Sequence, residues 1–338
     1  MKSIICKEPH VFKEKDITAP ARKEGEVLIR IKRIGICGTD LHAFKGNQPY
    51  FTYPRILGHE LSGTIEEIDR HKAGFQVGDQ VTIIPYLHCG TCIACSRGKT
   101  NCCEKMEVMG VHLDGGMCEM ISVPIENIIK TEALTLDQAA MIEPLAIGAH
   151  AVRRAEMTEG DTVLVIGAGP IGLGVMQFAK KQGTRVIAMD VNEERLQFCK
   201  TWVNVDATVN ALEEPIKVIE ILTNGHLPTI VFDSTGNVQS MTDAFQYVAH
   251  GGKLIYVGLV NDYVRFYNPD FHKKEITLLA SRNATQADFK GVLETLEAGE
   301  INIENYITHR CHFDDVINQF NHWLLPESKV IKSIVEVN

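Results

Sequence analysis

No window of this chain approaches the roughly 20 consecutive apolar residues that a helix needs to cross a bilayer. Its opening, MKSIICKEPHVF, lacks the apolar run that follows the charged end of an export signal. Internal repeats and low-complexity tracts are also missing, so neither a repeat array nor a biased tail is expected. Basic residues are the minority: 34 Lys and Arg against 43 Asp and Glu leave a net charge of −9. That argues against a nucleic-acid footprint, which would be a basic patch or stripe. A membrane or nucleic-acid partner is therefore not expected. Without an export signal, the ten cysteines are expected to be thiols and metal ligands rather than disulfides, in a cytoplasmic protein.

What is present is ordinary for a globular protein: 45% hydrophobic and 23% charged residues over 338 positions. At about 150 residues per domain that length predicts two domains, each able to bury a core. The first part alternates like β-structure in GEVLIRIKRIGI and LSGTIEEI, and VGDQVTIIP reads as a turn entering a strand. Short strands with Gly and Pro punctuation predict a β-rich domain, a partial barrel. Near residue 150 the texture changes to strands alternating with helices: DTVLVIG, PIGLGVMQFAKKQG, TRVIAMD, NEERLQFCKTW, then DATV, TIVFDSTG, GKLIYVGL and EITLLAS. This is the βαβ pattern of a doubly wound parallel sheet. The closing SKVIKSIVEV has no helix after it and is expected to return to the first domain. The expected division is a β-rich domain over 1–148, a dinucleotide-type domain over 149–284, and a return over 285–338.

VLVIGAGPIGLG carries Gly167, Gly169 and Gly172, with Pro170 and Ile171 opening the helix. The G-x-G-x-x-G spacing is weak alone, but here it follows a strand, opens a helix and leads to Asp190 at the end of the next strand. Gly167 allows the tight turn, Gly169 lets backbone approach a pyrophosphate, and Gly172 lets helix and strand pack. The helix N-terminus offers free N–H groups to the phosphates. Asp190 suits the ribose hydroxyls and repels a 2′-phosphate, so NAD is expected over NADP. Arg195 could soften that preference; the plainer reading is a solvated helix residue. FDSTGN, ending a later strand, is expected to support the nicotinamide side or to be an ordinary strand-end turn.

The densest cysteine stretch is HCGTCIACSRGKTNCCEK. Cys89, Cys92, Cys95 and Cys103 follow C-x2-C-x2-C-x7-C, which can close a tetrahedron around Zn²⁺. Four sulfurs leave no open position, so this would be a structural clamp. An iron–sulfur cluster is the alternative metal, and Cys102 the alternative fourth ligand. His88 is not needed. Elsewhere, Cys37 in GICGTDLH, His59 and Glu60 in ILGHELSG, and Glu143 in MIEPLAIGAH offer S, N and O donors. Together they can build a second zinc site with room for water or substrate.

These motifs, in this order and at these separations, resemble the zinc-dependent medium-chain dehydrogenase/reductase family, in its sorbitol and threonine dehydrogenase branch. The resemblance covers nearly the whole chain. It implies a GroES-like catalytic domain with a Rossmann domain inserted near its C-terminal end. It also implies two zinc ions, NAD, and a homodimer or homotetramer, often joined through the sixth strand of the Rossmann sheet. Cys37 and His59 match the family's catalytic zinc ligands. Glu143 stands where alcohol dehydrogenases place a third cysteine, and Glu60 ligates in the sorbitol dehydrogenase branch, so the resemblance leaves both carboxylates open as the third ligand. Thr39 and His42 match the proton relay, with Asp40 orienting its neighbours. GNQPYFTYPRILGHE and FHKKE…SRNAT resemble hexonate 5-dehydrogenases acting on L-galactonate or L-gulonate. A sugar acid needs a cation for its carboxylate; Arg282 is the first candidate, with Arg55, Lys273 and Lys274 behind it. The alternatives are a polyol or threonine dehydrogenase, a zinc-ribbon binding module, and a zinc-binding NAD sensor without catalysis.

Overall fold

The computed structural model describes residues 1–49, 51–69 and 74–338. Tyr50, inside GNQPYFTYPRILGHE, lies outside the described residues. Two units form, Met1–Pro144 with Thr285–Asn338, and Leu145–Ala284.

In the first unit, and among the described residues, the main sheet has seven strands. Its path runs Ile128–Lys130, Gln80–Ile83, Glu60–Glu67, Glu26–Ile36, Lys332–Glu336 and Ile307–His312, and Met120–Pro124 also pairs with Glu26–Ile36. The alternation in GEVLIRIKRIGI is realised directly. Val27, Ile29 and Ile31 are fully buried while the residues between them are partly exposed. Each such isoleucine contributes at most roughly 1.5–3 kcal/mol of burial. The helices Gln286–Glu297 and Val316–Trp323 follow the second crossing into this unit, and the final strand, Lys332–Glu336, lies antiparallel on Glu26–Ile36. The C-terminal strand is thus part of the first unit's sheet.

The short strands Tyr86–Leu87 and Glu107–Val108 pair antiparallel, and everything between them is the cysteine stretch. They form the neck of a lobe.

The second unit is a six-stranded parallel sheet of Thr162–Ile166, Arg185–Asp190, Ala207–Asn210, Ile230–Asp233, Lys253–Tyr256 and Thr277–Ala280. Its spatial order, third, second, first, fourth, fifth, sixth, is that of the full dinucleotide-binding fold. The central strands are apolar at successive positions because both faces are covered. Val163, Leu164, Val165, Ile187, Val231 and Leu254 are all fully buried. The sixth strand lies at the edge, and three of its four residues are exposed. Among the described residues, no helix is long and apolar enough to cross a membrane.

Candidate active site

The strand Glu26–Ile36 ends by delivering Cys37, which caps the helix Gly38–Lys45. Its neighbour begins at Glu60, so His59 and Glu60 arrive beside Cys37 from the next strand over. Ligand atoms of Cys37, His59 and Glu60 all lie within 4.8 Å of one another. His59 and Glu60 are buried, whereas Cys37 is only half-buried, so the group keeps an open side.

Asp40, fully buried, ties the two approaches together. Its carboxylate accepts from the Cys37 backbone N–H at 2.9 Å and from the Gly58 N–H at 3.1 Å. It also lies 3.7 Å from His59 Nδ1. Glu60 is met by Lys332, whose buried ammonium donates to Oε1 and lies against Oε2 while also donating to the Ile36 carbonyl at 3.0 Å. Gly35, directly opposite Glu60 in the ladder, leaves the space for this: a Cβ there would stand 2.1 Å from Glu60 Oε2. Glu143 is buried on the helix Leu136–Ala155 and accepts a hydrogen bond from the Tyr86 hydroxyl.

The electrostatics suit a cation. Burial alone would lower the His59 pKa, yet Asp40 and Cys37 outweigh it and hold the ring well above its ordinary value. Glu143 is pushed up to about 7, first by burial, with Glu60 adding like charge against the opposing pull of His59. Glu60, Glu143 and the Cys37 sulfur place an excess of acceptors around one buried ammonium, that of Lys332, and His59 Nδ1 has no hydrogen-bond partner. A divalent ion held by Cys37, His59 and Glu60 would compensate this excess, and a mixed S, N, O donor set with an open side fits zinc.

Thr39 and His42 stand three positions apart on the helix Gly38–Lys45, which makes them surface neighbours. His42 keeps an exposed edge; the protein around the rest of its ring, and then Lys45, hold its pKa below the ordinary imidazole value.

In the lobe, the sulfurs of Cys89, Cys92, Cys95 and Cys103 also lie within 4.8 Å of one another. Cys103 Sγ is 3.5 Å from Cys89 Sγ and 3.9 Å from Cys92 Sγ. Backbone N–H groups of Cys89, Cys92 and Lys105 point at sulfur at 3.3–3.4 Å. Such donors from Thr91 and Cys92 pull the Cys89 thiol down to about 6, while burial and neighbouring sulfurs push Cys95 up to about 12. Sulfurs this close cannot all ionise unless a cation joins them, so the group fits a four-thiolate metal. Cys102 is exposed and outside this group, and His88 is not part of it either.

In the second unit the glycine-rich turn is built as its spacing implies. Gly167 has φ +95°, and a Cβ on Gly172 would lie 1.8 Å from the Gly167 carbonyl. Pro170 and Ile171 open the helix Pro170–Lys181 behind the Gly169 cap. Asp190 reaches back to the turn: its carboxylate accepts from Ala168 N–H at 2.6 Å and from Asn192 N–H at 2.9 Å. Arg195, half-buried, lies beside this turn. A guanidinium nitrogen lies 3.8 Å from where a Gly169 Cβ would be. Within FDSTGN, Ser234 Oγ donates to the carbonyls of Ile166 and Gly167, both at 2.9 Å, and so buttresses the turn. The open cradle at Gly169, the helix N-terminus and Asp190 together fit a dinucleotide.

Arg282 is exposed just beyond the sixth strand, whose terminal Ala280 carbonyl is braced by Arg154 at 2.7 Å. Arg55 is half-buried, with Asp114 and Thr52 as partners. Lys274 is spent on the Gln246 and Val248 carbonyls, and Lys273 is exposed. Sequence reasoning missed Gly35, Tyr86 and Lys332. Each acts through a residue distant in the chain, and no local pattern announces it.

Comparison with known proteins matches residues 23–133 to the alcohol dehydrogenase GroES-like domain and residues 170–298 to the zinc-binding dehydrogenase domain. L-galactonate-5-dehydrogenase of Escherichia coli K12 is 41% identical over 337 residues, covering 99% of this chain and 98% of the relative. Sorbitol dehydrogenase of Halalkalibacterium halodurans is 32% identical over 295 residues, 86% of each chain. Among solved structures, the rspB alcohol dehydrogenase of E. coli CFT073 complexed with NADH aligns with a TM-score of 0.93 at 32% identity, over 99% of both chains.

Proposed function

The chain belongs to the zinc-dependent medium-chain dehydrogenase/reductase family as an NAD-dependent alcohol dehydrogenase, and from that premise we propose that it oxidises a secondary hydroxyl of a linear sugar acid, L-galactonate or L-gulonate at C5. The observation that carries this reading is the half-open donor group of Cys37, His59 and Glu60. Zinc there supplies Lewis acidity that lowers the pKa of a substrate hydroxyl, and NAD supplies the hydride acceptor.

The chain's own residues do the rest. Cys37, His59 and Glu60 hold the metal, with Glu143 nearby as a second carboxylate. Thr39 receives the hydroxyl proton and His42, one helical step away and facing water, passes it to solvent. Residues 1–148 and 285–338 carry this chemistry. Residues 149–284 bind NAD through Gly167, Gly169, Pro170, Ile171, Gly172, Asp190 and Arg195. Cys89, Cys92, Cys95 and Cys103 hold a second zinc that stabilises the lobe.

Support for the sugar acid comes from two sides. The full-length relative at 41% identity is named for L-galactonate. A carboxylate ligand in place of a third sulfur makes the metal site harder and more polar, which suits a polyhydroxylated substrate. Arg282, exposed just beyond the sixth strand, is the cation assigned to the substrate carboxylate. A homodimer or homotetramer in the cytoplasm completes the reading. Similarity to a sorbitol dehydrogenase keeps a neutral polyol as the second reading, with threonine beside it. An NAD-reduction screen over L-galactonate, L-gulonate, sorbitol and threonine decides. Turnover of a hexonate ahead of the others is expected, preference for sorbitol or threonine would replace that substrate, and a metal-loaded protein inert on all of them would point to an NAD sensor.

A further inference from the structure

Two carboxylates approach the Cys37–His59 pair, and the fold treats them differently. Glu60 is held in the strand ladder with Lys332 against it, and its oxygen stands within 4.8 Å of both Cys37 and His59. Glu143 is not a member of that close group. Its Oε1 is instead taken by the hydroxyl of Tyr86, and both side chains are almost fully buried, at 3% and 5% exposure.

Tyr86 is unusually well anchored for a residue at a lobe's edge. Its strand pairs it with Val108 across the neck. Its carbonyl accepts from Asn127 Nδ2 at 3.1 Å, and the same amide holds the Ile84 carbonyl at 2.8 Å. The ring meets Phe289 edge-on, centroids 6.1 Å apart, and Phe289 is fully buried. Met109 N–H closes the base of the neck on the Pro85 carbonyl at 3.0 Å. A two-residue ladder is marginal by itself. Three residues past Tyr86, Cys89 enters the four-sulfur group that closes the far end of the lobe. The hydroxyl is therefore fixed from both ends of the neck, and it fixes Glu143.

We propose that Tyr86 is a positioning residue that tethers Glu143 to the neck of the cysteine lobe and keeps that carboxylate out of the catalytic metal's coordination sphere. With Oε1 donated to by Tyr86, Glu143 faces the group as an outer acceptor, and the open side beside Cys37 stays available for a substrate oxygen. Without the hydroxyl, a buried carboxylate oxygen would lack its donor beside a cation, and ligation would be its nearest compensation. The inference rests on the metal reading of Cys37, His59 and Glu60.

The test is the visible d–d absorption of full-length protein carrying cobalt at the catalytic site and zinc in the lobe. Wild type should show the intense band of a four-ligand site. Tyr86→Phe should lose several-fold in intensity, as a fifth ligand enters. Tyr86→Phe combined with Glu143→Gln should regain the wild-type band, because an amide competes poorly for the metal. A merely structural role for Tyr86 would not produce that recovery. A Tyr86→Phe spectrum identical to wild type, or a double variant that stays weak, overturns the proposal alone. A wild-type protein that takes up no cobalt beyond its lobe zinc overturns the metal reading and the proposal with it.

Discussion

Lys332 and Glu60 are 272 residues apart in the chain and form a fully buried ion pair on neighbours of the same strand. The pair exists because the last strand lies beside Glu26–Ile36, with Ser333 opposite Ile36, while Glu60 lies opposite Gly35 on the other side. Removing the ammonium leaves a buried carboxylate without its partner. Lys332→Met should therefore destabilise metal-free protein by roughly 3–5 kcal/mol in denaturant unfolding. The deficit should shrink when zinc is present, because a cation then compensates Glu60. An equal deficit with and without zinc would mean that Glu60 does not meet the metal.

Two metals with separate roles should be countable. Cys103→Ser is expected to lose one zinc and much of the fold's stability, since a structural metal contributes directly to folding. Cys37→Ser should lose the other zinc and the activity while thermal unfolding changes little. Metal analysis that finds one zinc per wild-type chain would contradict the assignment.

Asp190 accepts one backbone N–H from Ala168 in the glycine-rich turn and one from Asn192 just past its own strand, which fixes its carboxylate where the cofactor's ribose would sit. A 2′-phosphate there would meet a like charge, at a cost on the order of a few kcal/mol if uncompensated. Wild type should prefer NAD, and Asp190→Ala should narrow the gap. Equal use of both cofactors by wild type would mean that Arg195, beside Gly169, dominates the site instead.

For the sugar-acid reading, Arg282→Ala should lower kcat/KM on a hexonate by roughly 10- to 100-fold, the loss expected for a charged hydrogen bond. A neutral polyol of equal length should be far less affected. Equal losses on both would place Arg282 with the cofactor rather than with the substrate carboxylate.

His42 carries a lowered pKa from its surroundings and Lys45. A depressed value keeps the ring neutral, and able to take a proton, as pH falls through the ordinary imidazole range of about 6.5. The acid limb of kcat/KM for alcohol oxidation should therefore lie below that value, and His42→Gln should flatten it. A limb at or above the ordinary imidazole pKa that survives the substitution would assign it to another group.

Much of this protein can be read along the chain, because much of its chemistry is local. The four lobe cysteines span fifteen residues and need only a short turn to converge, so their spacing implies their geometry. The glycine-rich turn is likewise a strand, a loop and a helix in sequence order, and the unbroken apolar runs around it announce strands buried on both faces. The same spacing favours Cys103 over its neighbour Cys102, and the lobe indeed turns Cys103 inward and leaves Cys102 exposed. The relation of Glu60 to Glu143 was not legible, because it depends on contacts that no spacing encodes. Gly35 makes room for Glu60 only once two strands are in register, Lys332 reaches it only after the chain's end returns, and Tyr86 meets Glu143 only when the neck packs on the helix. Spacing along the chain names the donors and the cofactor turn; packing puts Glu60 rather than Glu143 with Cys37 and His59, because buried charges take their positions from partners supplied by distant strands.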